Sequence, residues 1–330
     1  MSQLVDQYHR IATNLRVSVT DVCNLRCLYC MPEEMDFAET DQIMTFEEII
    51  RLVSISVGLG VDKVRLTGGE PLVRRGLASL VEQLFAVPGL SDISLTTNGV
   101  SLERQAQTLY DAGLRRINVS LDALSESKFA EITRRSLLDK VLAGLEKARH
   151  IGFDPIKINA VPMRGFSEDE VLELVSFARN NSYEMRFIEF MPLDADNIWA
   201  KDIFVPNSEL KEQINQTFPL KIESGNGRSL HQTAQNYHFQ DGKGKVGFIS
   251  SVSEPFCGDC NRVRLTADGK FRNCLFALEE KDVLTPLRNG ATDQHIEKMM
   301  KESVASKAIG HMINSNQYTK PDRNMSMIGG

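Results

Sequence analysis

Val22-Cys23-Asn24-Leu25-Arg26-Cys27-Leu28-Tyr29-Cys30, directly after the apolar-alternating run 15–19, decides how the rest of the chain is read. Its C-x3-C-x2-C spacing supplies three thiolates. That is one fewer than the four that close a cubane 4Fe-4S cluster or a structural zinc site. The missing ligand is the informative feature. An iron without a protein ligand can take a small-molecule chelate, and an amino-acid moiety with adjacent amine and carboxylate suits it. A zinc site completed by a distant ligand such as His9 is the alternative.

Working outward, the run before the cysteines is the first of six short strand-like stretches, at 15–19, 63–66, 92–95, 116–119, 156–161 and 184–190. Helical periodicity fits between them at 45–57, 77–85, 102–111, 137–150 and 168–178, with capping residues such as Thr45, Ser101 and Ser167. Strands alternating with helices predict an α/β fold with a parallel sheet and right-handed crossovers. Six units are too few for a closed eight-stranded barrel, so the expectation is a partial (β/α)6 TIM-type barrel with a wide mouth. Active sites of such folds form at the carboxyl ends of the strands. There lie the cysteine loop, Thr67-Gly68-Gly69-Glu70-Pro71, Thr96-Thr97-Asn98-Gly99, Ser120-Leu121-Asp122 and Met191-Pro192. Period two along the strands places Arg16 with Ser18, Arg65 with Thr67, and Lys157 with Asn159. Cations on an inner face need water or an anion, unless they pair with Glu70 and Glu189.

After residue 195 the rhythm stops, which divides the chain into a barrel, 1–195, and a C-terminal α+β extension, 196–330. Gly- and Asn-containing turns at Ser224-Gly225-Asn226-Gly227 and Asp241-Gly242-Lys243-Gly244 separate short strand-like pieces there. A second triplet, Cys257, Cys260 and Cys274, again stops at three thiolates, and Arg262-Val263-Arg264 lies between its members. In an extended segment both arginines face one way, suited to phosphate or purine-edge contacts. Residues 284–309 read as helical, and the chain closes in a flexible tail, MSMIGG, with Gly329 and Gly330 last.

Thirty-eight basic against 44 acidic residues give a net charge of −6, so general attraction to nucleic acid is not expected and any anion site must be local. The amino-terminal stretch MSQLVDQYHR lacks a signal-peptide core, and no run of ~18 apolar residues suggests a membrane span. A cytoplasmic protein is expected, and all six cysteines fall into the two triplets, as metal or cluster ligands do in a reducing compartment.

The nine-residue cysteine motif followed by Gly68-Gly69-Glu70-Pro71 resembles the radical S-adenosylmethionine superfamily. That resemblance implies a 4Fe-4S cluster on Cys23, Cys27 and Cys30, whose electron cleaves S-adenosylmethionine into methionine and a hydrogen-abstracting 5'-deoxyadenosyl radical. By the same carry-over, backbone around Gly69 and Glu70 holds the methionine amine, while Tyr29, Ser120 and Met191 contact the nucleoside. Both triplets, FCGDCNRVRLTADGK and the terminal Gly-Gly together resemble the GTP 3',8-cyclase family of molybdenum cofactor biosynthesis over essentially the whole chain.

This second resemblance implies a lyase that abstracts the ribose C3' hydrogen of GTP and joins C3' to guanine C8, giving (8S)-3',8-cyclo-7,8-dihydroguanosine 5'-triphosphate. It further implies a second 4Fe-4S cluster on Cys257, Cys260 and Cys274 whose open iron meets the guanine, and GTP contacts from Arg16, Arg65, Thr96, Lys157, Arg262, Val263 and Arg264. Gly329 and Gly330 would thread into the site as part of its catalytic apparatus. An external one-electron donor and a downstream cyclic pyranopterin monophosphate synthase are the implied partners, with monomer and homodimer both open. The alternatives are a peptide-modifying enzyme of the same superfamily with an auxiliary cluster, and a zinc-stabilised nucleotide-binding module.

Overall fold

Alternation of apolar and polar residues produces the six expected strands, β1 (Asn14–Ser18), β2 (Lys63–Thr67), β3 (Asp92–Thr97), β4 (Arg116–Ser120), β5 (Ile156–Ala160) and β6 (Glu184–Ile188). The computed structural model describes residues 3–223 and 232–329, so the expected turn at 224–227 lies outside the described residues. Six further strands follow: β7 (Leu220–Ile222), β8 (Gln235–Phe239), β9 (Lys245–Ile249), β10 (Arg262–Leu265), β11 (Lys270–Arg272) and β12 (Lys281–Asp282).

All twelve form one sheet, in the order β12-β11-β10-β1-β2-β3-β4-β5-β6-β9-β8-β7. The first six pair in chain order and parallel. What the repeat alone did not announce is that the C-terminal region adds a parallel strand at each end: β10 beside β1, with Arg264 opposite Arg16, and β9 beside β6, with Phe248 opposite Phe187. Neither follows a simple strand–helix unit. β9 is reached through the β8–β9 hairpin, where Gly242 and Gly244 supply the positive-φ turn, and β10 through an irregular loop.

One face of the sheet is apolar. Leu15, Val17, Leu66, Leu95, Val119, Ile158 and Phe187 are buried against Leu52, Leu80, Leu109, Leu145 and Leu174 of the crossover helices, Phe46–Gly58, Leu77–Phe85, Leu102–Asp111, Leu138–Ile151 and Val171–Asn180. Each such side chain contributes about 1.5–3 kcal/mol of burial. The first helix starts where Thr45 and Glu48 make a capping box, Thr45 Oγ1 accepting from Glu48 N (3.2 Å) and Glu48 Oε2 from Thr45 N (2.7 Å). A helix at Glu126–Thr133 was not legible because its eight residues, ESKFAEIT, carry too short a pattern. Its end holds the cysteine loop: Ile132 and Thr133 carbonyls accept from Leu28 N and Arg26 N, each at 3.0 Å.

The other face is polar and sorted by height. At the amino ends of the strands acids neutralise bases: Asp92 meets Arg116 (2.6 Å), and Glu184 meets Lys245 (3.1 Å), Lys157 (3.4 Å) and Arg186 (3.8 Å). Towards the carboxyl ends the cations outnumber the acids. Glu189, a candidate partner for them, accepts instead from Asn207 N (3.0 Å), Val252 N (2.9 Å), Ser253 N (2.8 Å) and Ser253 Oγ (2.5 Å), so it ties β6 to the loop after β9.

The expected flexible tail is overturned. Asn324 caps a short helix, Met325–Ile328, Met325 N bonds the Leu193 carbonyl (3.1 Å), and Arg323 pairs with Asp268 (2.7 Å) and Glu280 (2.6 Å). Methionine and isoleucine gain more by burial than the glycines lose by ordering: Ile328 is inaccessible to solvent.

Glu189→Ala leaves two buried amides, those of Asn207 and Val252, and the part-buried amide and hydroxyl of Ser253 without their acceptor. We expect a loss of about 3–5 kcal/mol in chemical denaturation and a smaller one in Glu189→Gln. An unchanged denaturation midpoint in the alanine variant rejects the tie.

Candidate active site

Both thiol triplets, Cys23, Cys27 and Cys30 with Cys257, Cys260 and Cys274, line one cavity of about 260 Å³. Strands from opposite ends of the sheet contribute to its wall, Arg262 and Arg264 from β10 and Ile249 from β9, so the sheet curves around it. The strand-end loops converge as expected: Thr67 to Glu70, Thr96 to Asn98, Ser120 and Met191 all face it. His9, the distant ligand considered for a zinc site, is exposed and does not.

The cysteine loop is held by backbone pairing. Beyond the β1–β2 ladder, Val19 N bonds Thr67 O (2.9 Å), Gly69 N bonds Thr20 O (2.8 Å) and Glu70 N bonds Val22 O (2.8 Å). This zip needs glycine twice. A Cβ on Gly68, at φ 150°, would collide with the Thr20 carbonyl, and one on Gly69 would sit 2.5 Å from the carbonyl oxygens of Asp21 and Val22. Glu70 locks the next strand end, Oε1 accepting from Leu72 N (2.9 Å) and Thr97 Oγ1 (2.6 Å), Oε2 from Asn98 N (2.6 Å). Asn98, whose role the motif alone did not give, reaches Asn24 Oδ1 (2.7 Å) and the Cys23 sulfur (3.7 Å). Tyr29 donates to Asp122 Oδ2 (2.7 Å), and Asp122 Oδ1 accepts from Val161 N (2.7 Å).

Burial pushes the Cys23 thiol up to about 11, and Cys27 and Cys30 higher still, with the neighbouring cysteines adding to the shift of both. Three thiols that resist ionisation and touch one another electrostatically fit a cluster, because bound iron supplies the charge that makes them thiolates. The second triplet is more cationic. Burial opposes ionisation of Cys260, yet Arg262 and Lys307 bring it down to about 6. Among the described residues, no three Cys, His, Asp or Glu side chains close around a single ion. Each triplet is a set of donors sharing a cavity wall, and the residues fit two three-thiolate 4Fe-4S sites.

The substrate candidates divide. Arg16 and Arg65 face the cavity beside Arg262, Arg264 and also Arg186, which the sequence reading did not single out although its period along β6 carried the signal. Burial and the surrounding guanidiniums depress Arg16 well below its ordinary value, Arg65 to about 10 and Arg264 to about 9. No carboxylate pairs with Arg16 among the described residues. Thr96 lines the wall. Lys157 shares the inner face but lies deeper, in the ionic floor with Glu184, where burial and Arg186 lower it to about 8; it is not an unpaired cavity cation. Val263 sits on the opposite face in the apolar core, so only its backbone is shared with the arginine strand. Gly329, at φ 76°, packs so near Ser18 Oγ and Thr67 that a Cβ would collide with both, and its carbonyl accepts from Arg264. Gly330 lies outside the described residues.

Comparison with known proteins gives the class first. A model of the radical SAM superfamily matches residues 17–178, and one described as Molybdenum Cofactor Synthesis C matches 183–313. The chain is thus a radical SAM enzyme with a C-terminal extension, and S-adenosylmethionine and 4Fe-4S clusters are its cofactors. Streptococcus suis SuiB bound to its precursor peptide SuiA shares the fold, with a TM-score of 0.62 over 96% of this chain and 77% of that one, at 14% identity. GTP 3',8-cyclases are far nearer in sequence. That of Thermodesulfovibrio yellowstonii is 42% identical over 98% of this chain and 99% of its own; that of Streptomyces coelicolor is 44% identical over 99% and 96%. The chain belongs to the GTP 3',8-cyclase family.

Two outcomes test the site. Gly69→Ala forces the cysteine loop off its ladder, and roughly half the iron should be lost as the first site empties while the second keeps its spectrum; full iron content rejects the zip. Burial also raises Glu70 to about 7 and Asp122 to about 6, so the folded chain keeps protons that the unfolded chain has released. That contribution is fully present below about pH 4 and lost as pH rises through about 6–7, so the apoprotein should lose stability across about pH 4–7, less steeply in Asp122→Asn.

Proposed function

We propose that this chain converts GTP to (8S)-3',8-cyclo-7,8-dihydroguanosine 5'-triphosphate, the first step of molybdenum cofactor biosynthesis. The observation that carries the reading is the pair of thiol triplets facing one cavity whose wall holds Arg16, Arg65 and Arg264, which have no carboxylate partner among the described residues. When bound, the clusters and S-adenosylmethionine supply the electron, the 5'-deoxyadenosyl radical that takes the ribose C3' hydrogen, and an open iron for the guanine. The chain's own residues do the rest.

Arg16, Arg65, Arg262 and Arg264 repel one another in a dry site, and a triphosphate relieves that repulsion while gaining bidentate contacts. Thr96 is in place to bond the nucleotide, and the backbone at Val263 fixes the spacing of its two flanking arginines. Lys157 acts from the floor, orienting Glu184 and Arg186 beneath the substrate. The backbone at Gly69 and Glu70, with Tyr29, Ser120 and Met191, surrounds S-adenosylmethionine on the first-triplet side. Gly329 closes the site from the tail through Arg264, and the part proposed for Gly330 falls outside the described residues. In functional terms residues 1–195 generate the radical and supply part of the GTP wall, while 196–330 complete it with the second triplet, Arg262, Arg264 and the tail, and one sheet spans both.

The product would pass to cyclic pyranopterin monophosphate synthase, and an external one-electron donor would reduce the first cluster. A cytoplasmic setting suits this chemistry, and no helix of the described residues is long and apolar enough to cross a membrane. Monomer and homodimer are both compatible with the reading.

Reconstituted protein, reductant and S-adenosylmethionine, incubated anaerobically with each nucleoside triphosphate, should form 5'-deoxyadenosine fastest with GTP. Indifference to the nucleotide sinks the proposal. Cys257→Ala should still cleave S-adenosylmethionine but yield no cyclised nucleotide, as read by chromatography. Removing Gly329 and Gly330 should cripple turnover with both clusters loaded; an active truncation removes the tail from the mechanism.

A further inference from the structure

The first dozen residues, silent in sequence, grip the second cysteine loop. Arg10, held by Asp6 at 2.6 Å, donates to three carbonyls, those of Cys257 (2.7 Å), Ala308 (2.6 Å) and Ile309 (3.0 Å). Gln7 donates to the carbonyl of Lys307 (3.2 Å). The brace fixes the turn after the helix Asp293–Ala305, where Lys307, two residues past the helix end, is only 3% exposed.

The Lys307 ammonium reaches the carbonyl oxygens of Arg262 (3.0 Å) and Cys260 (3.3 Å) and the Cys260 sulfur (3.5 Å). Among the described residues no carboxylate lies in ion-pair range of it. Arg262 donates to the same sulfur at 3.4 Å. Two cations therefore converge on one thiolate, which leaves an excess of positive charge at a poorly solvated corner. Buried charge of this kind is tolerated when a counter-ion offsets it. A cluster with three thiolates is anionic and becomes more so on reduction. The donors are also unevenly shared, for Cys260 takes both cationic side chains whereas Cys257 takes the backbone N–H of His311.

We propose that Lys307 is a positioning residue that sets the reduction potential of the second cluster, its charge and N–H···S hydrogen bond on Cys260 favouring the reduced form. Hydrogen bonds to cluster sulfurs and local charge are among the protein's levers on such potentials. The simpler role, a strap joining the helix end to β10, needs only the two carbonyl bonds and predicts no electrochemical effect. The inference rests on the second triplet holding a cluster, and the test separates the two.

The test is an EPR-monitored redox titration of full-length, anaerobically reconstituted protein, with iron counted and the first cluster's signal identified by its response to S-adenosylmethionine. Lys307→Met should move the second cluster's midpoint potential to more negative values and leave the first unmoved, and Lys307→Arg should restore most of the shift. About eight irons per chain with an unshifted potential in Lys307→Met overturns the role of Lys307 alone. About four irons in the unsubstituted protein overturns the second cluster and the inference with it. Should Lys307→Met fail to hold its iron, Lys307→Gln, neutral but still a donor, decides for the charge: a potential equal to that of the unsubstituted protein overturns the charge effect, and a more negative one supports it.

Discussion

Mutual repulsion among guanidiniums is the constraint to which the rest of the molecule answers. Arg16 and Arg264 are direct neighbours across the β1–β10 pairing, and Arg65 stands on the next strand over. Such a group survives in a folded protein only where water or an anion reaches it, because an unpaired charge in a sealed core costs several kcal/mol. The sheet therefore cannot close on a packed interior as a smaller barrel does. It stays open, keeps its apolar face for the helices, and leaves a polar cavity at the carboxyl ends of its strands.

How the two thiol triplets come to share that cavity follows from where the C-terminal strands attach. β10 extends the sheet from β1, and the first triplet follows β1 while Cys257 and Cys260 immediately precede β10 and Cys274 follows β11. Parallel neighbours put like ends together. The loop entering β10 lies at the amino end, opposite the loop leaving β1, and Cys274, past the antiparallel β11, returns to that same end, so the cavity joins the triplets by running along the strands. At the other edge Glu189 joins β6 to the loop after β9, so both borders of the cavity are tied by the same C-terminal region.

Much of this was legible. Six strands and five helices follow from period and capping, and the strand-end motifs identify the loops that meet, because a parallel βα repeat leaves few topologies. Three things were not. The attachment of β9 and β10 depends on pairing between residues some 60 and some 250 positions apart, which no local pattern encodes. Lys157 and Arg65 have the same parity on their strands and both border the floor, yet Lys157 meets Glu184 across β5–β6 whereas Arg65, strands away from that acid, also reaches the cavity. The tail was read from its glycines, whereas its methionines and isoleucine determine that it docks.

Four cations on this one scaffold show how height and company set function. Lys157, low in the sheet, is neutralised by Glu184 and serves the floor. Arg264, higher, spends its donors on the carbonyls of Ile328 and Gly329 and so makes the tail part of the wall. Lys307, outside the sheet, turns to sulfur. Arg16 is left with neither acid nor carbonyl among the described residues and is surrounded by like charge, so it is the member of the four that a polyanion would relieve. Binding energy is then concentrated at the point between the triplets where the fold is least content without a ligand, and a substrate lacking its phosphates forfeits that gain however well its base is held.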